Sequence, residues 1–131
     1  MATPMQQPQS TLNLNSILVG TAQVQALAEF YTNVFSRPAD MQDGGYYGWQ
    51  VGSCFFTIGE HSEVQGQAKE PARIILNLET SAVREEFERL RQLGVTVIKE
   101  PYSMDEGESG WIATLADPDG NYIQLMTPFE M

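Results

Sequence analysis

The sequence predicts an α+β fold in which one unit, a strand followed by a helix and three more strands, is used twice. Three observations carry that prediction. Two amphipathic helical stretches each follow a short run of β-branched and aliphatic residues. Phe30 follows Ser16 at the same distance, 14 residues, as Phe87 follows Arg73. The stretch Gly52-Ser53-Cys54-Phe55-Phe56-Thr57 also overlays Gly120-Asn121-Tyr122-Ile123-Gln124-Leu125. At 131 residues the chain fits a single domain over 13–131, with modules at about 14–60 and 73–128. Residues 1–12, rich in Pro, Gln, Ser and Thr, read as a flexible arm.

The elements follow in order. Residues 15–22 contain Ile17, Val19 and Thr21 and read as a strand. Val24, Leu27, Tyr31 and Val34 form one apolar stripe, so 24–35 is a helix that Arg37-Pro38 ends. Residues 46–51 and 54–59 read as an aromatic hairpin turned by Gly52-Ser53. A polar linker, 60–71, leads to a strand at 73–78. Ser81 is expected to cap a helix reaching Leu93, with Val83, Phe87, Leu90 and Leu93 buried and Gly94 closing it. Strands at 95–99 and 111–115 flank an acidic loop, 102–110. The stretch Asp117-Pro118-Asp119-Gly120 is a tight turn: Pro118 presets φ, Asp117 can bond back, and Gly120 tolerates positive φ. In the last strand, 122–126, Ile123 and Leu125 face a helix while Tyr122, Gln124 and Met126 face away.

Composition excludes several classes. Hydrophobic residues are 42% and charged residues 18%, which fits a globular rather than a disordered chain. No apolar run approaches the roughly 20 residues that span a bilayer, and no signal peptide is visible. A cytoplasmic protein without membrane partners is expected, and the single Cys54 fits a reducing compartment. The net charge of −10 argues against nucleic acid, which needs Lys/Arg clusters, and favours either simple solubility or a cationic partner.

In its duplicated unit, the Phe30-Tyr31 pair on the first helix and the ending Asp117-Pro118-Asp119-Gly120-Asn121-Tyr122-Ile123-Gln124-Leu125, the chain resembles the glyoxalase, bleomycin-resistance and extradiol-dioxygenase superfamily over residues 14–128. That resemblance implies two βαβββ modules forming a curled mixed sheet around one cavity, often completed by a second subunit. It also implies, in metal-dependent members, an ion held from each module's first and last strands. The matching positions here are Ser16, Phe56, Arg73 and Gln124; a two-residue slip would put Ile75 in place of Arg73. None offers imidazole or carboxylate lone pairs, so no metal and no cofactor is expected.

The remaining candidates stay double-edged. Arg73 suits a ligand carboxylate, phosphate or enolate oxygen, or else a structural pair with Glu70 or Glu79. Asn77 and Gln124 suit a ligand or each other. Tyr47, Trp49, Phe56, Trp111 and Tyr122 suit a stacking slot or ordinary core. His61, the only histidine, is a ligand, a base or a turn residue. Cys54 lacks a base partner and reads as a small buried group. The reading that follows is a metal-free homodimer binding a planar or cationic small molecule through Ser16, Tyr47, Trp49, Phe56, Arg73, Asn77, Trp111, Tyr122 and Gln124. The first alternative is a lyase or isomerase using Arg73 and Gln124 to stabilise an oxyanion, with His61 or a tyrosine moving the proton. The second is metal-dependent glyoxalase or dioxygenase chemistry.

Overall fold

Val24, Leu27, Tyr31 and Val34 are all buried, so the apolar stripe decides how the first helix lies. The structure is a computed structural model that describes residues 10–103 and 110–128. The chain runs β1 (Ser16–Thr21), α1 (Val24–Phe35), β2 (Met41–Asp43), β3 (Tyr46–Val51), β4 (Cys54–Glu60), β5 (Leu76–Glu79), α2 (Val83–Gln92), β6 (Thr96–Ser103), β7 (Trp111–Ala116) and β8 (Tyr122–Met126). Two four-stranded mixed sheets form, ordered β1-β4-β3-β2 and β5-β8-β7-β6. In each, the first strand pairs parallel with the last and the other pairs are antiparallel. The same topology twice is the duplicated βαβββ unit, and the two sheets do not close on each other.

One hydrophobic cluster spans both modules. From the first come Tyr31, Trp49, Phe56 and Ile58; from the second, Phe87, Leu90, Leu115 and Ile123. The first module's share is aromatic. Tyr31 lies 4.7 Å from Phe56 between ring centroids, and Phe35 lies 5.7 Å from Trp49. Trp49 is 0% exposed and its indole N–H donates to the Arg37 carbonyl at 3.1 Å, which satisfies its one polar atom.

The Asp117–Gly120 turn is more than a hairpin end. Asp117 Oδ1 accepts from the Asp119 and Asn121 backbone N–H groups, and Oδ2 accepts from the Tyr31 hydroxyl at 2.8 Å. Asp119 accepts from Thr21 Oγ1 at 2.6 Å and from Gln23 Nε2 at 2.6 Å. The linker joins in: Gln67 Nε2 donates to the Pro118 carbonyl, and Ala68 N donates to the Asp119 carbonyl. A turn of the second module thus ties down the start of the first module's helix. Both carboxylates are buried, and they are tolerable there because each is hydrogen-bonded.

Several boundaries differ from the sequence reading. The strand expected at 73–78 begins only at Leu76, because Pro71–Arg73 forms one 3-10 turn closed by Arg73 N on the Glu70 carbonyl. Pro71 presets that turn, and the β-branched Ile74 and Ile75 outside the strand look like strand in sequence. Ile74 is consequently 74% exposed. No side chain caps α2, so Ser81 does not act as expected; Thr80 Oγ1 accepts from Ala82 N just ahead of the helix. Leu93 is 55% exposed, since α2 ends at Gln92 and the left-handed Gly94 swings the chain away. Val95 takes the core contact instead. Met41–Asp43 carries no β-branched residue to predict a strand, yet it pairs with Tyr46–Gly48. Residues Tyr102 and Ser103, expected in the acidic loop, belong to β6. Positions 104–109 of that loop and 1–9 of the arm lie outside the described residues.

Candidate functional site

Strand register sorts the candidate residues onto two faces. Ile17, Phe56 and Trp49 are Cα partners across β1, β4 and β3, and their face packs under α1. Ser16, Phe55 and Gln50 are likewise partners, on the opposite face. In the second module Asn77, Gln124 and Thr114 are partners on that opposite face, while Leu78, Leu125 and Ala113 face the core. The nine candidates therefore divide. Ser16, Asn77, Tyr122 and Gln124 lie on the open face; Tyr47, Trp49, Phe56 and Trp111 lie on the helix side; Arg73 lies in the turn before β5.

This corrects the overlay of Phe56 on Gln124, which are on opposite faces. The two turns differ in length. Val51 and Cys54 pair around the two-residue turn Gly52-Ser53, whereas Ala116 and Tyr122 pair around five residues. Val51 and Cys54 look inward and Ala116 and Tyr122 outward, so an alignment on the glycines slips by one residue. In a strand, a slip of one exchanges faces. Phe55 and Thr57, not Phe56, share the open face with Gln124.

The open face of the first module carries rings packed closely over glycines. A Cβ on Gly48 would meet the Phe55 ring at 2.6 Å, and one on Gly59 would run into the Tyr46 ring. Glycine is needed at both positions for this close approach. Leu18 beside them is 56% exposed, and Tyr46 and Tyr102 are also exposed. Across the second module, Gln124 Nε2 donates to Thr114 Oγ1 at 3.2 Å. These aromatic residues, Tyr46 and Phe55, were not singled out in the sequence; the signal was their alternation with Gly48 and Gly59.

The donor set decides how well a metal ion fits. Ser16, Phe55, Thr57, Ile75, Asn77 and Gln124 supply hydroxyls and amides but no imidazole or carboxylate. Among the described residues no group of three His, Cys, Asp or Glu side chains gathers. These residues do not fit the divalent site of the metal-dependent members. His61 is exposed at the end of β4, where its Nδ1 accepts from Glu63 N, a local turn contact. Arg73 pairs with Glu70 at 2.6 Å, each side chain 69% exposed. Cys54 and Phe56 line one cavity on the helix side, as their alternation predicts.

Electrostatics concentrate at the clasp. Burial pushes the Asp117 carboxyl above its ordinary range, against the pull of its hydrogen bonds from Asn121, Tyr31 and Asp119. Burial, and then the Asp117 charge, push the Tyr31 hydroxyl well above its usual value. Neither group faces the open strands. Their role is to hold the modules together.

Two βαβββ modules, each a four-stranded mixed sheet with one helix, define a two-module α+β architecture. The family profile described as Glyoxalase-like domain matches residues 16–126, and the chain belongs to that family. A glyoxalase/bleomycin resistance protein/dioxygenase family enzyme from Burkholderia phytofirmans PsJN is similar, with 21% identity over 90% of this chain and 100% of that one, at a TM-score of 0.71. So is a glyoxalase-related enzyme from Fulvimarina pelagi, with 18% identity over 88% of both chains and a TM-score of 0.72. A glyoxalase/bleomycin resistance protein from Albidiferax ferrireducens T118 shares 19% identity over 87% of this chain and 98% of that one, with a TM-score of 0.68. At identities this low, the structural likeness shows the shared fold alone. No curated protein matches the sequence. No helix among the described residues is long and apolar enough to cross a membrane.

Proposed function

We propose that this chain is a small-molecule-binding member of its family that works without a metal ion and holds a planar, cationic compound against the open strand face. The observation that carries the reading is the donor set of that face. Where a divalent site needs imidazole or carboxylate, the strands offer Ser16, Phe55, Thr57, Asn77 and Gln124. The rings of Phe55 and Tyr46, packed over Gly48 and Gly59, suit contact with a planar cation, and Tyr122 and Gln124 lie on the same side in the second module. The net charge of −10 draws cations to the surface. Tyr47, Trp49, Phe56 and Trp111 support this face from behind. A homodimer in the cytoplasm is part of the proposal: a second copy would cover Leu18 and Tyr102, which are exposed.

The lyase or isomerase alternative draws less support. Arg73 is exposed and engaged with Glu70, whereas oxyanion stabilisation needs a dry site, so that alternative rests on Gln124 alone.

A fluorescent planar cation such as an acridinium dye tests the proposal by polarisation titration. Saturable binding is expected, weakened at least about tenfold in Tyr46→Ala/Phe55→Ala, since stacking on a ring contributes roughly 1–3 kcal/mol. Absence of saturable binding, or binding indifferent to both rings, removes the reading.

A further inference from the structure

Between the modules, mostly on the helix side of the strands, lies a cavity of about 200 Å³ that shares only Asn77 with the donor set of the proposed function. Its walls are Ile17, Phe35, Phe56, Ile75, Leu76 and Ile123, with Cys54 and Asn77 among the remaining lining. It adjoins a wider cleft of about 630 Å³, with which it shares Phe35, Cys54, Asn77 and Leu78 and where Arg37, Thr80 and Glu79 contribute polar groups.

The pocket is apolar yet partly open, since Ile74 in its lining is 74% exposed. Here the walls come from separate elements: β1, α1 and β4 on one side, β5 and its preceding turn on the other. Both β1 and β5 are edge strands of their sheets, so no third strand fills the gap between them. Water is a poor filler, because it needs two to four polar partners. The Tyr31 hydroxyl is already committed to Asp117, and the Cys54 thiol is a weak donor.

We infer that this cavity is a binding site for a small uncharged aromatic, a single ring carrying one hydrogen-bonding substituent, as in a phenol. Size sets the ring. A dry cavity of about 150 Å³ lined by Leu, Ile and Phe admits benzene, so this one accommodates a ring plus a substituent. Phe35 and Phe56 stand edge-to-face with centroids 5.8 Å apart, which leaves ring edges and faces for a third aromatic. Charge is excluded because the inner wall offers it no counter-ion and a buried unpaired charge is costly. Polarity belongs at the mouth. Asn77 lies on the boundary with the outer cleft, and its amide makes no hydrogen bond to another described residue.

Cys54 is the only cysteine and lines the cavity, so it reports occupancy directly. The probe is 4-fluorophenol on the full-length protein. Alkylation of Cys54 by iodoacetamide should slow roughly tenfold at a probe concentration about ten times its Kd, because only free sites react. The 19F signal should shift saturably, and 4-fluorobenzoate should do neither. Ile75→Phe should fill the space and abolish both effects; if that variant does not fold, protection of Cys54 in the unaltered protein decides. No protection and no saturable shift, or equal effects from 4-fluorobenzoate, overturns the inference. The acridinium titration stays separable: Ile75→Phe should retain dye binding, and Tyr46→Ala/Phe55→Ala should retain 4-fluorophenol binding.

Discussion

The two modules share a topology and differ in what stabilises them. The first packs rings: Tyr31, Phe35, Trp49 and Phe56 touch one another beneath α1. The second packs aliphatics around Phe87 and carries its charge on α2, where Glu86–Arg89 and Glu88–Arg91 pair one turn apart. α1 has no acidic residue in its first turn and no basic one in its last. Its missing polar partners come from the second module. Arg89 donates to the Asn33 and Val34 carbonyls at 2.8 Å each, covering the orphaned end of α1; Asp119 accepts from Thr21 and Gln23 just before its start, and Asp117 from Tyr31 within its second half. The difference teaches that a duplicated unit need not be two independent folds. One copy has kept the bulk of the aromatic packing, and the other supplies the charges that finish its helix.

That contrast can be broken at graded points. Trp49→Ala removes the largest fully buried side chain and should cost about 3–5 kcal/mol in urea unfolding. A cost below about 1 kcal/mol would mean the aromatic module is not the core's anchor. Asp117→Ala leaves the Tyr31 hydroxyl and two backbone N–H groups without their acceptor, at about 3 kcal/mol. Its loss should appear as proteolytic opening between modules before global unfolding. Tyr31→Phe deletes only the donor and should cost about 1.5 kcal/mol.

The pH dependence sharpens the same point. Both Asp117 and Tyr31 hold their protons more tightly folded than unfolded, so each contribution is complete below the unfolded pKa and lost as pH rises through the folded one. Stability should therefore fall as pH rises just above the ordinary carboxylate range, with a further fall above about pH 10. Asp117→Asn should flatten the first slope and Tyr31→Phe should reduce the second. An unchanged alkaline slope in Tyr31→Phe would assign it to other groups. The smallest effect belongs to Arg73→Ala, which breaks an exposed pair with Glu70 and should change stability by less than about 0.5 kcal/mol.

Much of this was legible in residue order. The stripe Val24, Leu27, Tyr31, Val34 set α1, and the glycine-marked turns set the hairpins, because helix and turn propensities are local. Met41–Asp43 was not, since β2 owes its pairing to the neighbour β3 rather than to its own residues. The face of Phe56 was also hidden. A two-residue turn against a five-residue turn reverses parity, and parity shows only once strands are in register.

Residue order by itself determined that a strand, a helix and further strands occur twice, and that the first and last strands carry no carboxylate or imidazole at the positions expected to hold an ion. The first follows from short-range pattern; the second follows from the chemistry of the side chains at positions that the family resemblance implies. The tertiary structure alone decided which rings face outward, that Asp117 and Asp119 reach across to Thr21, Gln23 and Tyr31, and that a cavity remains between β1 and β5. Those depend on partners some 80 to 100 residues apart in the chain, and hydrogen-bond geometry at such separation is set only when the two sheets dock.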